Sequence, residues 1–110
     1  MRYEVKPDDT VANPMEFADV AGNDGMKTDT KGNLYSTNGA GRGEVRIWSP
    51  EGKRLGTLEL PQTTTLPRQQ ICATNLAFGD ADGKGLYITA CMNLYKVRLN
   101  VAGILAGPKP

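Results

Sequence analysis

At 110 residues the chain has room for one small domain and not two. Its formal charge is +1, and the thirteen basic residues are scattered without forming a basic face, which argues against nucleic acid or an anionic membrane as partner. A hydrophobic fraction of 39% and a mean hydropathy of −0.41 suit a soluble globular chain, and no apolar run approaches the roughly 20 residues needed to cross a bilayer.

In chain order, Arg2–Lys6 alternates as a strand, Pro7-Asp8-Asp9-Thr10 reads as a turn, and Met15–Val20 alternates again, so the pattern predicts a leading hairpin. Asp24 sits beside Gly25, just ahead of a short strand that ends in the polar turn Asp29-Thr30-Lys31-Gly32-Asn33. The next strand is Asn33–Asn38, with Leu34 and Ser36 on one face and Tyr35 and Thr37 on the other. Gly39–Gly43 is a glycine-rich loop without the Lys and Ser/Thr ending or the helix of a phosphate cradle, so a hairpin loop is expected. Glu44–Ser49 and Leu55–Leu60 are strands around the turn Ser49–Lys53, and Gln62–Gln70 is a polar loop. Thr74–Phe78, Gly85–Ala90 and Leu94–Leu99 follow as strands, and residues 104–110 are expected to be a disordered tail. Apolar residues recur at intervals of two and nowhere at helical spacing, so the fold class is all-β and antiparallel.

Chemistry-bearing residues are few. Asp24, flanked by Asn23, is either an ordinary turn aspartate or a ligand for a hard cation at the entrance of a strand. Asp80-Ala81-Asp82-Gly83 has the opening of a calcium loop, but Cys91 stands where its closing glutamate belongs, so a hairpin turn is expected. Cys72 and Cys91 could pair only if their strands were neighbours, and free, partly buried thiols are the expectation. With no histidine and no CxxC, zinc is not expected. Trp48, Tyr35, Tyr87 and Tyr95 alternate within strands and are expected in the core between sheets. The N-terminus lacks the apolar stretch of a signal peptide, which leaves the compartment open: cytoplasmic or, for a truncated reading frame, exported.

The chain also repeats. Gly32-Asn33-Leu34-Tyr35-Ser36-Thr37 parallels Lys84-Gly85-Leu86-Tyr87-Ile88-Thr89, with the tyrosines 52 positions apart. That is near the roughly 40–50 residues of a four-stranded propeller blade. The predicted units are a leading hairpin (1–20), a blade (21–61) and a second blade (72–103), about two to two and a half blades. An open arc of this kind is expected to belong to a longer protein or to self-associate. In this alignment Thr74 stands opposite Asp24, so the aspartate is not dictated by blade geometry.

The segment Asn23-Asp24-Gly25-Met26-Lys27-Thr28-Asp29-Thr30-Lys31-Gly32-Asn33-Leu34-Tyr35 resembles the PDGMxxDxxGNLY segment of the SMP-30/gluconolactonase/luciferin-regenerating-enzyme family. Arg2-Tyr3-Glu4-Val5 with Phe17-Ala18-Asp19 is similar to the hairpin upstream of it. Asn75-Leu76-Ala77-Phe78-Gly79, Leu86-Tyr87-Ile88-Thr89-Ala90 and Leu94-Tyr95-Lys96-Val97-Arg98-Leu99 resemble the family's C-terminal blade.

The resemblance implies a six-bladed β-propeller holding a divalent cation, usually calcium, in its channel, with sugar lactones as substrates. It implies that Asp24 is both a metal ligand and the general base. Asn23 departs from the family's usual proline. The other ligands expected by resemblance, a glutamate and an asparagine, belong to segments with no counterpart here. The expectation is therefore the C-terminal part of a calcium-dependent lactone hydrolase that is inactive alone. The alternative is a non-enzymatic propeller segment used for binding or scaffolding.

Overall fold

A computed structural model describes residues 1–20, 22–38, 43–61 and 72–107. Among them there is no helix. The described residues form nine strands in three antiparallel sheets: a hairpin, β1 (Arg2–Val5) with β2 (Val11–Met15); a four-stranded sheet of β3 (Asn23–Thr28), β4 (Leu34–Asn38), β5 (Glu44–Trp48) and β6 (Arg54–Glu59); and a three-stranded sheet of β7 (Ala73–Gly79), β8 (Gly85–Ala90) and β9 (Asn93–Arg98). Strands pair in sequence order, so each of the larger sheets is a meander and a blade of a partial propeller.

The first hairpin closes sooner than the alternation of Met15–Val20 implies. Asp8 Oδ1 accepts from the Thr10 N–H and hydroxyl at 3.1 and 2.6 Å, and the Lys6 N–H donates to the Thr10 carbonyl at 2.8 Å. This Asx-type turn returns the chain at Val11, so Val11–Met15 and not Met15–Val20 pairs with β1. Pro14 is tolerated because β2 has a neighbour on one side only.

The core lies between the two blades. Tyr35, Val45 and Leu60 of the first meet Leu76, Leu86, Ile88 and Ala90 of the second, with Ile47, Leu58, Phe78, Tyr95 and Val97 around them. Tyr35 and Phe78 stack edge to face, with centroids 5.3 Å apart. Trp48 is buried on the other side of its sheet, where its indole N–H donates to Ser36 Oγ at 3.0 Å. Tyr87 departs from expectation: it lies on the outer face of the second blade, half-buried, and its hydroxyl donates to Asp80.

A strap after β9 fastens the blades together. The Gly103 N–H donates to the Gly83 carbonyl, the Thr30 N–H to the Ala102 carbonyl and the Ile104 N–H to the Thr28 carbonyl, each at 2.9 Å. Gly103 lies directly under the Phe78 ring, which leaves no room for a side chain. Ile104, placed in the tail by sequence, is therefore tied to β3.

Cys72 and Cys91 form a disulfide, which corrects the expectation of free thiols. Ala73 pairs with Ala90, so the residues flanking that pair meet at one end of the blade, a register that sequence could not supply. The glycine-rich stretch 39–42, the whole polar loop at 62–70 and residues 108–110 lie outside the described residues.

Candidate functional site

Asp24 lies inside β3, one residue after the Asn23↔Asn38 pair that opens it, and not ahead of the strand. The register shifts between Asn23 and Met26: three steps along β3 match two along β4, from Asn38 to Ser36. Asp24 and Gly25 together thus oppose Thr37 in a β-bulge, a device that bends a strand and re-aims a side chain. Gly25 is required there. A Cβ on it would lie 2.9 Å from the Asn75 Cα, since β3 and β7 approach closely at this point.

The bulge leaves Asp24 exposed, with no hydrogen-bond or ion-pair partner among the described residues. Its neighbour Asn23 is half-buried, and Asn23 Oδ1 is fully shielded yet accepts no hydrogen bond. A shielded carbonyl oxygen without a donor is costly, about 1–3 kcal/mol, and such atoms in a fold call for a ligand, ion or water. Behind them, in the row Asn23–Asn38–Glu44, Glu44 is buried. Its carboxylate accepts from Asn38 Nδ2 at 3.0 Å and Arg46 Nε at 2.9 Å, and pairs with Arg46 Nη2 at 2.8 Å. Burial pushes the Glu44 carboxyl up, but these donors outweigh it and hold the group below the usual glutamate range. Asn38, Glu44 and Arg46 form a bonded group in register with Asn23; sequence offered only the hint that Asn38 and Glu44 flank the glycine-rich loop.

The oxygens at the bulge, the exposed Asp24 carboxylate and the shielded Asn23 amide oxygen, are of the types a hard divalent cation takes. The fit is in kind and not in number, because calcium takes about 6–8 oxygens and no group of three acidic, Cys or His ligands occurs among the described residues. Asp80 and Asp82 do not form a second site: they are engaged by Lys96 and Arg98, and Asp80 also by the Tyr87 hydroxyl. Asp29 is structural as well. Fully buried, it accepts from the Lys31 and Asn33 N–H groups, Asn33 Nδ2 and the Tyr35 hydroxyl at 2.8–3.1 Å. A pocket of about 400 Å³ walled by Met1, Phe17, Met26, Leu34 and Pro50 sits at the opposite end of β3, by Thr28, and is apolar. It belongs to the contact with the leading hairpin and not to the Asp24 rim.

The sequence matches the SMP-30/gluconolactonase/LRE-like region over residues 1–92. Among solved structures, the chain resembles a candidate gluconolactonase at 26% identity and a TM-score of 0.74, covering 94% of this chain and 32% of that one. It resembles luciferin-regenerating enzyme at 21% identity and a TM-score of 0.73, covering 94% of this chain and 39% of that one, a likeness of fold. No curated protein matches it in sequence. The chain thus spans about a third of the length of the structures it is similar to. With its blades in propeller register and its bulged aspartate on an inner strand, the chain belongs to the SMP-30/gluconolactonase/LRE-like family.

Proposed function

We propose that this chain carries one wall of a metal-dependent lactone-hydrolase site, with Asp24 as cation ligand and general base and a sugar lactone as substrate. The observation that supports the reading most is the exposed carboxylate of Asp24, which has no hydrogen-bond or ion-pair partner among the described residues.

A hard divalent cation such as Ca²⁺, when bound, supplies Lewis acidity to the lactone carbonyl. Asp24 orients a water and takes its proton as the water oxygen bonds to the carbonyl carbon. The ring C–O bond then breaks, and the proton passes from Asp24 to the departing ring oxygen, giving the hydroxy acid. No protein nucleophile is needed, and the two serines are committed elsewhere. Ser36 Oγ accepts from Trp48, and Ser49 Oγ accepts from the Glu51 and Lys53 N–H groups of its own turn.

Because two oxygen donors are few for calcium, the chain alone binds it weakly and does not turn over lactones. Calorimetric Ca²⁺ titration of the chain and of Asp24→Ala, alongside a lactone-hydrolysis assay, tests this. Weak binding lost in Asp24→Ala, with hydrolysis at background, is expected. Binding indifferent to Asp24→Ala overturns the role of Asp24, and rapid hydrolysis overturns the short ligand set.

A second reading, a sheet-completing binding or scaffold segment, is favoured by the leading hairpin, which exposes Met1, Tyr3, Val5, Val11 and Met15. A two-stranded hairpin is marginal by itself in water. Self-association of the arc is the form this reading takes, and light scattering that shows a concentration-independent monomer removes it.

A further inference from the structure

Resting on the reading of Asp24 as a cation-binding carboxylate, we infer that Thr37 is a positioning residue. Its hydroxyl pins the Asp24–Gly25 bulge and locks it to the next blade. Thr37 is fully buried. Its Oγ1 accepts from the Gly25 N–H at 2.8 Å. Its single proton has two acceptors in reach, the Gly25 carbonyl at 3.2 Å on β3 and the Thr74 carbonyl at 3.3 Å on β7. One hydroxyl thus holds the Gly25 N–H and shares its proton between the Gly25 carbonyl and the backbone of β7.

A bulge disrupts the ladder locally, so the groups it strands must find partners elsewhere. Gly25 has no side chain with which to meet that need, and the close approach of Asn75 forbids one. Thr37 meets it without touching the Asp24 side chain, so the carboxylate stays available to a ligand. The second blade shows the alternative. At the matching bulge, Thr89 Oγ1 donates to the Asn75 carbonyl at 3.3 Å, but it also lies 3.0 Å from Thr74 Oγ1, so there the bulge side chain is consumed by its own sheet. In the first blade the hydroxyl is spent on backbone alone.

The test compares Thr37→Val, which keeps the shape and removes the hydroxyl, with Thr37→Ser, which keeps the hydroxyl, in the full chain. Three quantities are read: hydrogen exchange of the Gly25 amide, the Ca²⁺ concentration at which the Asp24 side-chain carboxyl carbon shifts in NMR, and the melting temperature. The expected result is faster Gly25 exchange and a Ca²⁺ midpoint raised about tenfold or more in Thr37→Val, the range for removing a group that orients a metal ligand. Thr37→Ser is expected to stay close to the parent in both.

A melting temperature that drops in Thr37→Val while the Asp24 midpoint stays put makes Thr37 merely structural and overturns the inference. Should Thr37→Val not fold, Thr37→Ala against Thr37→Ser decides by the same criteria. If Asp24 in the parent chain does not respond to Ca²⁺ although Gly25 is protected, the cation reading itself falls and takes the inference with it.

Discussion

The two blades are built from one pattern and differ in what covers them. In the first, Tyr35 is buried under Phe78 of its neighbour, and its hydroxyl closes a fully buried Asp29 turn. In the second, Tyr87 and Asp80 repeat the tyrosine–aspartate bond on a face with no further blade over it. There Lys96 sits over the Tyr87 ring at 5.2 Å and, with Arg98, neutralises the aspartate. The same motif is a buried staple in one place and a solvated ion-pair cluster in the other. The bulges differ in the opposite sense: Thr74 is satisfied by Thr89, and Asp24 is left without a partner. Hydrogen-bond satisfaction, more than the motif itself, separates the structural aspartates from the candidate functional one.

The largest effect expected from breaking this contrast is at the disulfide. The second blade has three described strands against four, and Cys72–Cys91 closes a 19-residue separation across its end. Replacing both cysteines with serine is expected to cost about 3 kcal/mol in urea unfolding, the figure for a loop of that length. Reduction of the parent chain should reproduce the loss. A change under about 1 kcal/mol would mean that interblade packing, and not the cross-link, holds the third strand.

Next is the buried staple. Asp29→Ala strands three donors inside the Thr28–Leu34 turn and the Tyr35 hydroxyl, and is expected to cost about 2–3 kcal/mol by chemical denaturation. Asp80→Ala removes exposed ion pairs and is expected to cost clearly less. Equal costs would erase the distinction between covered and uncovered copies of the motif.

Tyr35 gives the same comparison a pH signature. Burial, reinforced by the adjacent Asp29 carboxylate, pushes its phenol up to about 12. An unfolded tyrosine titrates near 10. Between those values the unfolded chain releases a proton that the folded chain keeps, so stability is intact below pH ~10 and falls as pH rises toward ~12. Tyr35→Phe is expected to lose about 1 kcal/mol at neutral pH with its hydrogen bond and to flatten that alkaline slope. A slope unchanged in Tyr35→Phe would assign the alkaline loss to another group.

The fold was largely legible in the sequence because half-buried strands announce themselves by alternation, and turns such as Asp29–Asn33 and Asp80–Lys84 announce themselves by composition. What escaped depended on register. Whether Cys72 meets Cys91 follows from Ala73 pairing with Ala90, and the early return at Val11 follows from one side-chain hydrogen bond of Asp8. Asp24 stood out as a candidate through its neighbours and the repeat. The bulge that aims it, the orphaned Asn23 oxygen and the Thr37 pin were not legible, since a buried threonine in a strand looks the same in sequence whether it fills space or holds a backbone.

The smallest structural effect, and the sharpest use of the comparison, is Thr74→Asp. It writes the residue of the first bulge into the second, at a half-buried position where the lost side-chain bonds to Thr89 should cost no more than about 1 kcal/mol. Asp24 and the new carboxylate would stand on adjacent inner strands, β3 and β7, whose bulges are already joined through Thr37. If the first bulge binds a cation because its carboxylate is unspent, a second unspent carboxylate beside it should lower the Ca²⁺ midpoint of Asp24 in the same NMR titration. If the midpoint stays where it is while the variant remains folded, the two bulges do not open onto a common space, and any cation bound at Asp24 would have to draw its remaining oxygens from elsewhere.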